Sequence, residues 1–224
     1  MTTQAKKNNL QKFSALDDSK QERIINAAMK EFTLGYKNAL TDNIVKEAGI
    51  SKGLIFHYFG TKEGLYHFLI DYAIDIIQKE FVDKIHIVHT DVLDNIWQLS
   101  LLKGELSFRY PALFDFVANA YIDTTAPGNN KLLMRQGESQ AHLTKEIFSR
   151  VDYSLFRDDI DPQMAIRIIL WTIEGYTQSI VKTSIEEGLG YSPWEHYENY
   201  LKEFDQIIQT LRKCFYKHKE TPEP

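Results

Sequence analysis

Apolar positions recur three and four residues apart along most of the chain, and no segment sustains two-residue alternation. The pattern predicts helices and no sheet. A first helix opens at Ser19, where Ser19-Lys20-Gln21-Glu22 has the form of a capping box. Ile24, Ala27, Ala28 and Phe32 mark its inner face and Gly35 stops it. Ile44, Val45 and Ala48 give a short second helix its apolar edge, and Gly49 can take the positive φ of a sharp turn. Ser51 suits the N-cap of a third helix, buried along Ile55 and Phe59. Two short helices joined by a tight glycine-containing turn outline a helix-turn-helix.

Thr61 caps the next helix, striped by Leu65, Phe68, Leu69, Tyr72 and Ile76 and extending to about Lys84. Asp91 or Thr90 caps a helix carrying Leu93, Ile96, Trp97, Leu101 and Leu106, which Pro111 ends or kinks at Tyr110. Leu113, Phe114, Phe116, Val117 and Tyr121 form a short aromatic segment, and 125–130 (TAPGNN) is a loop. Residues 132–150 are helical again. Asp161-Pro162 reads as N-cap and N1 of a helix bearing Ile168, Ile169, Trp171, Ile173, Tyr176, Ile180 and Ile185, ending at Gly188-Leu189-Gly190. Ser192-Pro193-Trp194-Glu195 opens the last helix, whose stripe of Tyr197, Tyr200, Leu201, Phe204, Ile207, Ile208, Leu211, Cys214 and Phe215 must be buried against something. The expectation is an all-α protein of about nine helices without internal repeats.

Composition changes this picture little: 43% hydrophobic and 25% charged residues describe an ordinary globular chain. No run approaches the 18 or so apolar residues of a membrane span. The opening MTTQAKKNNLQK lacks the apolar core of a secretory signal. The single Cys214 excludes an internal disulfide and suits a reducing cytoplasm. Charge is more telling. The net −5 divides into 10 Lys+Arg against 6 Asp+Glu over residues 1–62, and 16 against 25 over residues 63–224. The positive end coincides with the helix-turn-helix.

In such a motif the start of the second helix meets base edges in the major groove. Here that start is Ser51, Lys52, Gly53 and Leu54. Lys52 can donate to guanine O6 and N7, Leu54 can touch a thymine methyl, and Gly53 admits a close approach. The run Ala48 to Leu65, AGISKGLIFHYFGTKEGL, resembles the signature of the TetR/AcrR family of bacterial transcriptional regulators. Phe32, Gly35 and Tyr36, then Thr41, Ile44 and Val45, match its first part at the same offsets, so the resemblance covers residues 20–67. It implies phosphate contacts from Thr41, Tyr58 and Lys62, base-edge contacts around Lys52, Gly53 and Leu54, and a DNA-facing set that also takes in Ser51 and His57. Two residues depart from the pattern. Phe56 stands where the family usually has Tyr, and Leu54 where a small Thr or Ser is common, so readout shifts toward apolar contact.

The rest of the chain then divides into a flexible tail (1–18), a DNA-binding domain (19–62), a ligand-binding and dimerisation domain (63–218) and a short tail (219–224). The opening lysines Lys6, Lys7 and Lys12 belong to a frayed tail or to a basic arm adding phosphate contacts. The last two helices offer a homodimer interface of Tyr197, Tyr200, Leu201, Phe204, Ile208 and Leu211, or simply a core. A dimer suits a palindromic operator in double-stranded DNA. Trp97, Phe108, Phe114, Tyr121, Met134, Trp171, Glu174 and Tyr176 are either core or the lining of a largely hydrophobic effector pocket, and the resemblance favours the pocket. Glu174 beside Trp171 suits a cation, Arg109 with His142 an anion.

Enzyme readings find no support. His86 with His89, and Cys214 with His218, are pairs short of a closed metal site. Asp158, Asp159 and Asp161 lack the glycine and distal glutamate of a calcium loop. Gly188-Leu189-Gly190 follows a helix and not a strand. The expectation is therefore a ligand-released repressor with no metal, no cofactor and no membrane partner. The alternative is an all-α carrier or interaction module that never meets DNA.

Overall fold

The structure is a computed structural model and describes residues 3–186 and 197–217. Ten α-helices occur among them and no strand. They are α1 (Thr3–Ser14), α2 (Asp18–Phe32), α3 (Thr41–Ala48), α4 (Lys52–Phe59), α5 (Lys62–Glu80), α6 (Val92–Arg109), α7 (Pro111–Ile122), α8 (Asn129–Arg150), α9 (Pro162–Glu186) and α10 (Tyr197–Phe215). Two compact units result. One joins residues up to Asp83 with Tyr110–Glu138, the other Lys84–Arg109 with the chain from Ser139 on.

The first unit is built on α2. Ile24, Ala28, Met29 and Phe32, all but inaccessible, meet Ile44 of α3, Ile55 of α4, and Leu65 and Leu69 of α5. The short α3 and α4 thus owe their stability to this shared core and not to their own length. Three expectations are corrected here. The opening residues are no frayed tail: α1 buries Phe13, and Leu10 and Leu16 pack beside it. Three apolar residues at intervals of three in a polar stretch are enough to make one buried face. Asp17, not Ser19, caps α2, its carboxylate accepting from the Lys20 N–H at 2.8 Å. The helix after Thr61 stops at Glu80, short of Lys84, and 82–84 form a separate 3-10 turn.

The unit does not end at Lys62. Tyr66 of α5 and Phe116 of α7 meet edge to face beside Phe32, and the Tyr66 hydroxyl donates to Asn129 at 2.9 Å. Asn129 in turn donates to the carbonyls of Ala120 and Asp123, tying the start of α8 to the end of α7. α7 begins at Pro111, as expected from its ring.

In the second unit, Ile96 of α6, Ile166 and Ile169 of α9, and Phe204 and Ile208 of α10 share a core. Asp91 accepts from the Leu93 N–H at 2.8 Å, giving α6 the acidic cap expected of it. The same carboxylate takes Arg212 and the Tyr216 hydroxyl, clasping the end of α10 to the start of α6. Asp161 accepts from the Gln163 N–H at 3.0 Å at the start of α9. Gly188-Leu189-Gly190, the Ser192–Glu195 box, His218 and the side chains of Ile185 and Tyr197 lie outside the described residues. No helix among the described residues is long and apolar enough to cross a membrane.

Two substitutions test the first unit, with a third as control. Phe13→Ala removes a fully buried ring, so it should lower the unfolding free energy of the first unit by roughly 3–5 kcal/mol in urea melts. Lys12→Ala, on the exposed side of α1, should leave the midpoint unmoved. Gly64→Ala should also destabilise, because its Cβ would sit 2.1 Å from the Phe59 carbonyl oxygen. In an open helix the same change stabilises by about 0.4–1 kcal/mol.

Candidate nucleic-acid interface

The helix-turn-helix is made by backbone geometry at two points. Gly49 ends α3 in the left-handed region (φ 66°, ψ 39°), which side chains with a Cβ adopt only at a cost. Ser51 then enters α4 in extended conformation (φ −81°, ψ 150°), though its hydroxyl makes no capping hydrogen bond. Ile44, Ala48, Ile55 and Phe59 point inward, as the spacing predicts. The outward residues Ser51, Lys52, Gly53, Phe56 and His57 are exposed, and Leu54 is half-buried.

The turn before α3 is held by Glu31, an 8% exposed carboxylate. It accepts from the Leu40 N–H at 2.8 Å and from the Asn43 side chain at 3.0 Å. Lys62 closes the other side, its ammonium donating to the carbonyls of Ala39 (2.5 Å) and Lys37 (3.4 Å) and lying 4.9 Å over the Tyr36 ring. Burial pushes the Lys62 ammonium below its ordinary pKa, and the Glu31 carboxylate opposes that shift. The Tyr36 N–H donates to Asp123 at 2.7 Å, so the end of α7 also fastens this turn.

Of the DNA-facing residues expected from sequence, Thr41, Ser51, Lys52, Gly53, Leu54 and His57 thus lie along α3 and α4 with at least partial exposure. Tyr58 and Lys62 are placed differently. Tyr58 is 8% exposed, with its ring edge-on to Phe13 at 5.6 Å. Lys62 spends its amine on carbonyls of its own chain. Glu31, Asn43 and Asp123 carry no motif and are invisible to pattern reading. Asp42 is equally unexpected: its carboxylate sits 2.6 Å from the Lys52 ammonium, with side chains 69% and 51% exposed.

The expected effector residues are divided between the two units. Phe114, Tyr121 and Met134 belong to the first, and Trp97, Phe108, Trp171, Glu174 and Tyr176 to the second. Trp97 and Tyr176 both stack on Phe204, at 5.8 and 6.0 Å. The Tyr176 hydroxyl donates to Glu203, and burial beside that carboxylate pushes its pKa up. Phe108, Met134 and Trp171 are exposed, at 75, 67 and 62%. Glu174 is exposed too and accepts from Gln178 of its own helix. Arg109 pairs with Glu105 at 2.6 Å, and His142 is exposed.

The expected dimer residues of α10 are largely occupied within the chain. Phe204, Ile208 and Leu211 are buried against α6 and α9, which corrects their assignment to a partner surface. Tyr200 and Leu201 are half-buried. On α9, by contrast, Met164, Ile168 and Trp171 (41, 38 and 62% exposed) recur four and three apart and stay uncovered within the chain.

Residues 24–68 match the family of bacterial regulatory proteins, tetR family. Solved structures extend the likeness over the chain. A TetR family transcriptional regulator from Chloroflexus aurantiacus superposes with a TM-score of 0.63 at 19% identity, over 93% of this chain and 98% of that one. PfmR, a TetR family transcriptional regulator from Thermus thermophilus, gives 0.54 at 20% identity over 84% and 97%. The fatty acid degradation regulator FadR from Bacillus halodurans gives 0.53 at 18% over 88% and 95%. No curated protein matches the chain. The chain therefore carries the N-terminal helix-turn-helix domain of the tetR-family bacterial regulatory proteins, set in the fold of a TetR family transcriptional regulator.

Proposed function

We propose that the protein is a repressor that binds a palindromic operator as a homodimer and leaves it when a small, largely hydrophobic effector binds. The observation that carries the DNA-binding part is the exposed row Ser51, Lys52, Gly53 and His57 on a helix whose opposite side is locked into the core. Such a row is rigid and solvent-facing, as groove entry requires. Lys52 and Leu54 read bases beside Ser51 and Gly53, and Thr41 takes a phosphate. Tyr58 and Lys62 act through the framework, the first by packing on Phe13 and the second by closing the turn before Thr41.

The homodimer is drawn from the stripe on α9. Met164, Ile168 and Trp171 would be costly to leave in water, and a second copy related by a two-fold axis offers the same face in return. Two reading heads on one axis match a palindrome. The apolar guest is placed in the second unit by the family resemblance alone, beside the half-buried rings of Trp97 and Tyr176. Such a guest releases DNA only to the extent that it binds one arrangement of the heads better than the other.

Selection of duplexes from a random pool, followed by titration with salt, tests the reading: binding should fall steeply with salt, and Lys52→Ala should relax preference at one position at a cost of about 1–3 kcal/mol on the selected duplex. Failure of the wild-type chain to bind any duplex would end the proposal and leave the carrier reading. Trp171→Glu should convert a dimer in sedimentation velocity to a monomer and sharply weaken binding to the palindrome. A charged variant that stays dimeric would remove α9 from the interface.

A further inference from the structure

The pair between Asp42 and Lys52 is where the structure adds to this reading. Asp42 lies in the first turn of α3, one residue after Thr41, and Lys52 is the first residue of α4. The two helices are already fixed by Ile44 and Ile55 on their buried sides. A salt bridge with side chains 69% and 51% exposed adds little to that stability. Its placement matters more. It puts a carboxylate among the residues that would face DNA, where phosphates repel it.

We infer that Asp42 is a specificity-determining residue: it holds the Lys52 ammonium away from phosphates and so penalises duplexes of the wrong sequence. The inference rests on the DNA-binding reading above. On an unrelated duplex, Lys52 has no base partner that repays leaving Asp42, so the pair stays closed, the ammonium makes no phosphate contact, and the carboxylate remains beside the backbone. On the preferred duplex, Lys52 donates to guanine O6 and N7, and Asp42 is free to accept from the N4 amino group of a nearby cytosine. Discrimination then comes from a repulsive element as well as an attractive one. A lysine on a flexible four-carbon stem, left alone at this position, would instead bind any phosphate within reach.

The test uses the full chain with two probes of equal length, the tightest duplex from the random pool and one of unrelated sequence. Asp42→Asn should tighten the unrelated duplex about 3–5-fold, the range a surface ion pair can control. It should also steepen the salt dependence there by about 0.9, the signature of one more phosphate neutralised. Binding to the selected duplex should gain less, so the ratio of the two affinities falls. In a Lys52→Ala background the steepening should vanish, which a general loss of negative charge would not produce. Asp42→Glu keeps the charge and should keep the ratio. An Asp42→Asn chain with an unchanged ratio, or with the same steepening when Lys52 is absent, overturns the inference while leaving the DNA-binding reading intact. A wild-type chain that binds neither duplex overturns both.

Discussion

The structure depends on the Glu31 carboxylate. It is nearly withdrawn from water, and a carboxylate so placed must find donors or be expelled. It finds the Leu40 N–H and the Asn43 amide, both on the far side of the 33–40 turn. The turn therefore closes in one way, Thr41 enters α3 at a fixed point, and α3 meets the core of α2 in one register. Lys62 completes the arrangement from α5 by taking the two carbonyls that the turn would otherwise expose. What looks from outside like a reading head on two short helices is held by polar contacts behind it.

Much of this is legible in the sequence, for identifiable reasons. The spacing of Ile44, Ala48, Ile55 and Phe59 is helical and short-ranged, and Gly49 is a turn signal with one physical meaning. Thr61 caps α5 as expected, accepting from the Gly64 N–H at 2.9 Å. The contacts that cannot be read are those between residues distant in sequence. Asp123 meets the Tyr36 N–H from 87 positions away, and nothing local to either residue announces it. Asp42 and Lys52 each look like an ordinary surface charge until α3 and α4 are laid side by side.

The misplacements have a common cause as well. Apolar periodicity says that a face is buried but not by what. Phe204, Ile208 and Leu211 of the stripe on α10 suggest a partner and prove to be buried against α6 and α9. The thin stripe on α1 suggests a frayed tail and proves to bury Phe13 against Tyr58, Phe59 and Phe68. The face of α9 that remains uncovered is hidden among the effector candidates, because Trp171 invites a ligand reading when its neighbours are unknown.

The crowding at Gly64 has a mechanical consequence. With no room for even a methyl group beside the Phe59 carbonyl, α4 and the first turn of α5 are wedged together, without the slack that a hinge requires. Any tilt of α5 therefore bears directly on the Phe59 carbonyl at the end of α4, with only the hydrogens of Gly64 between them.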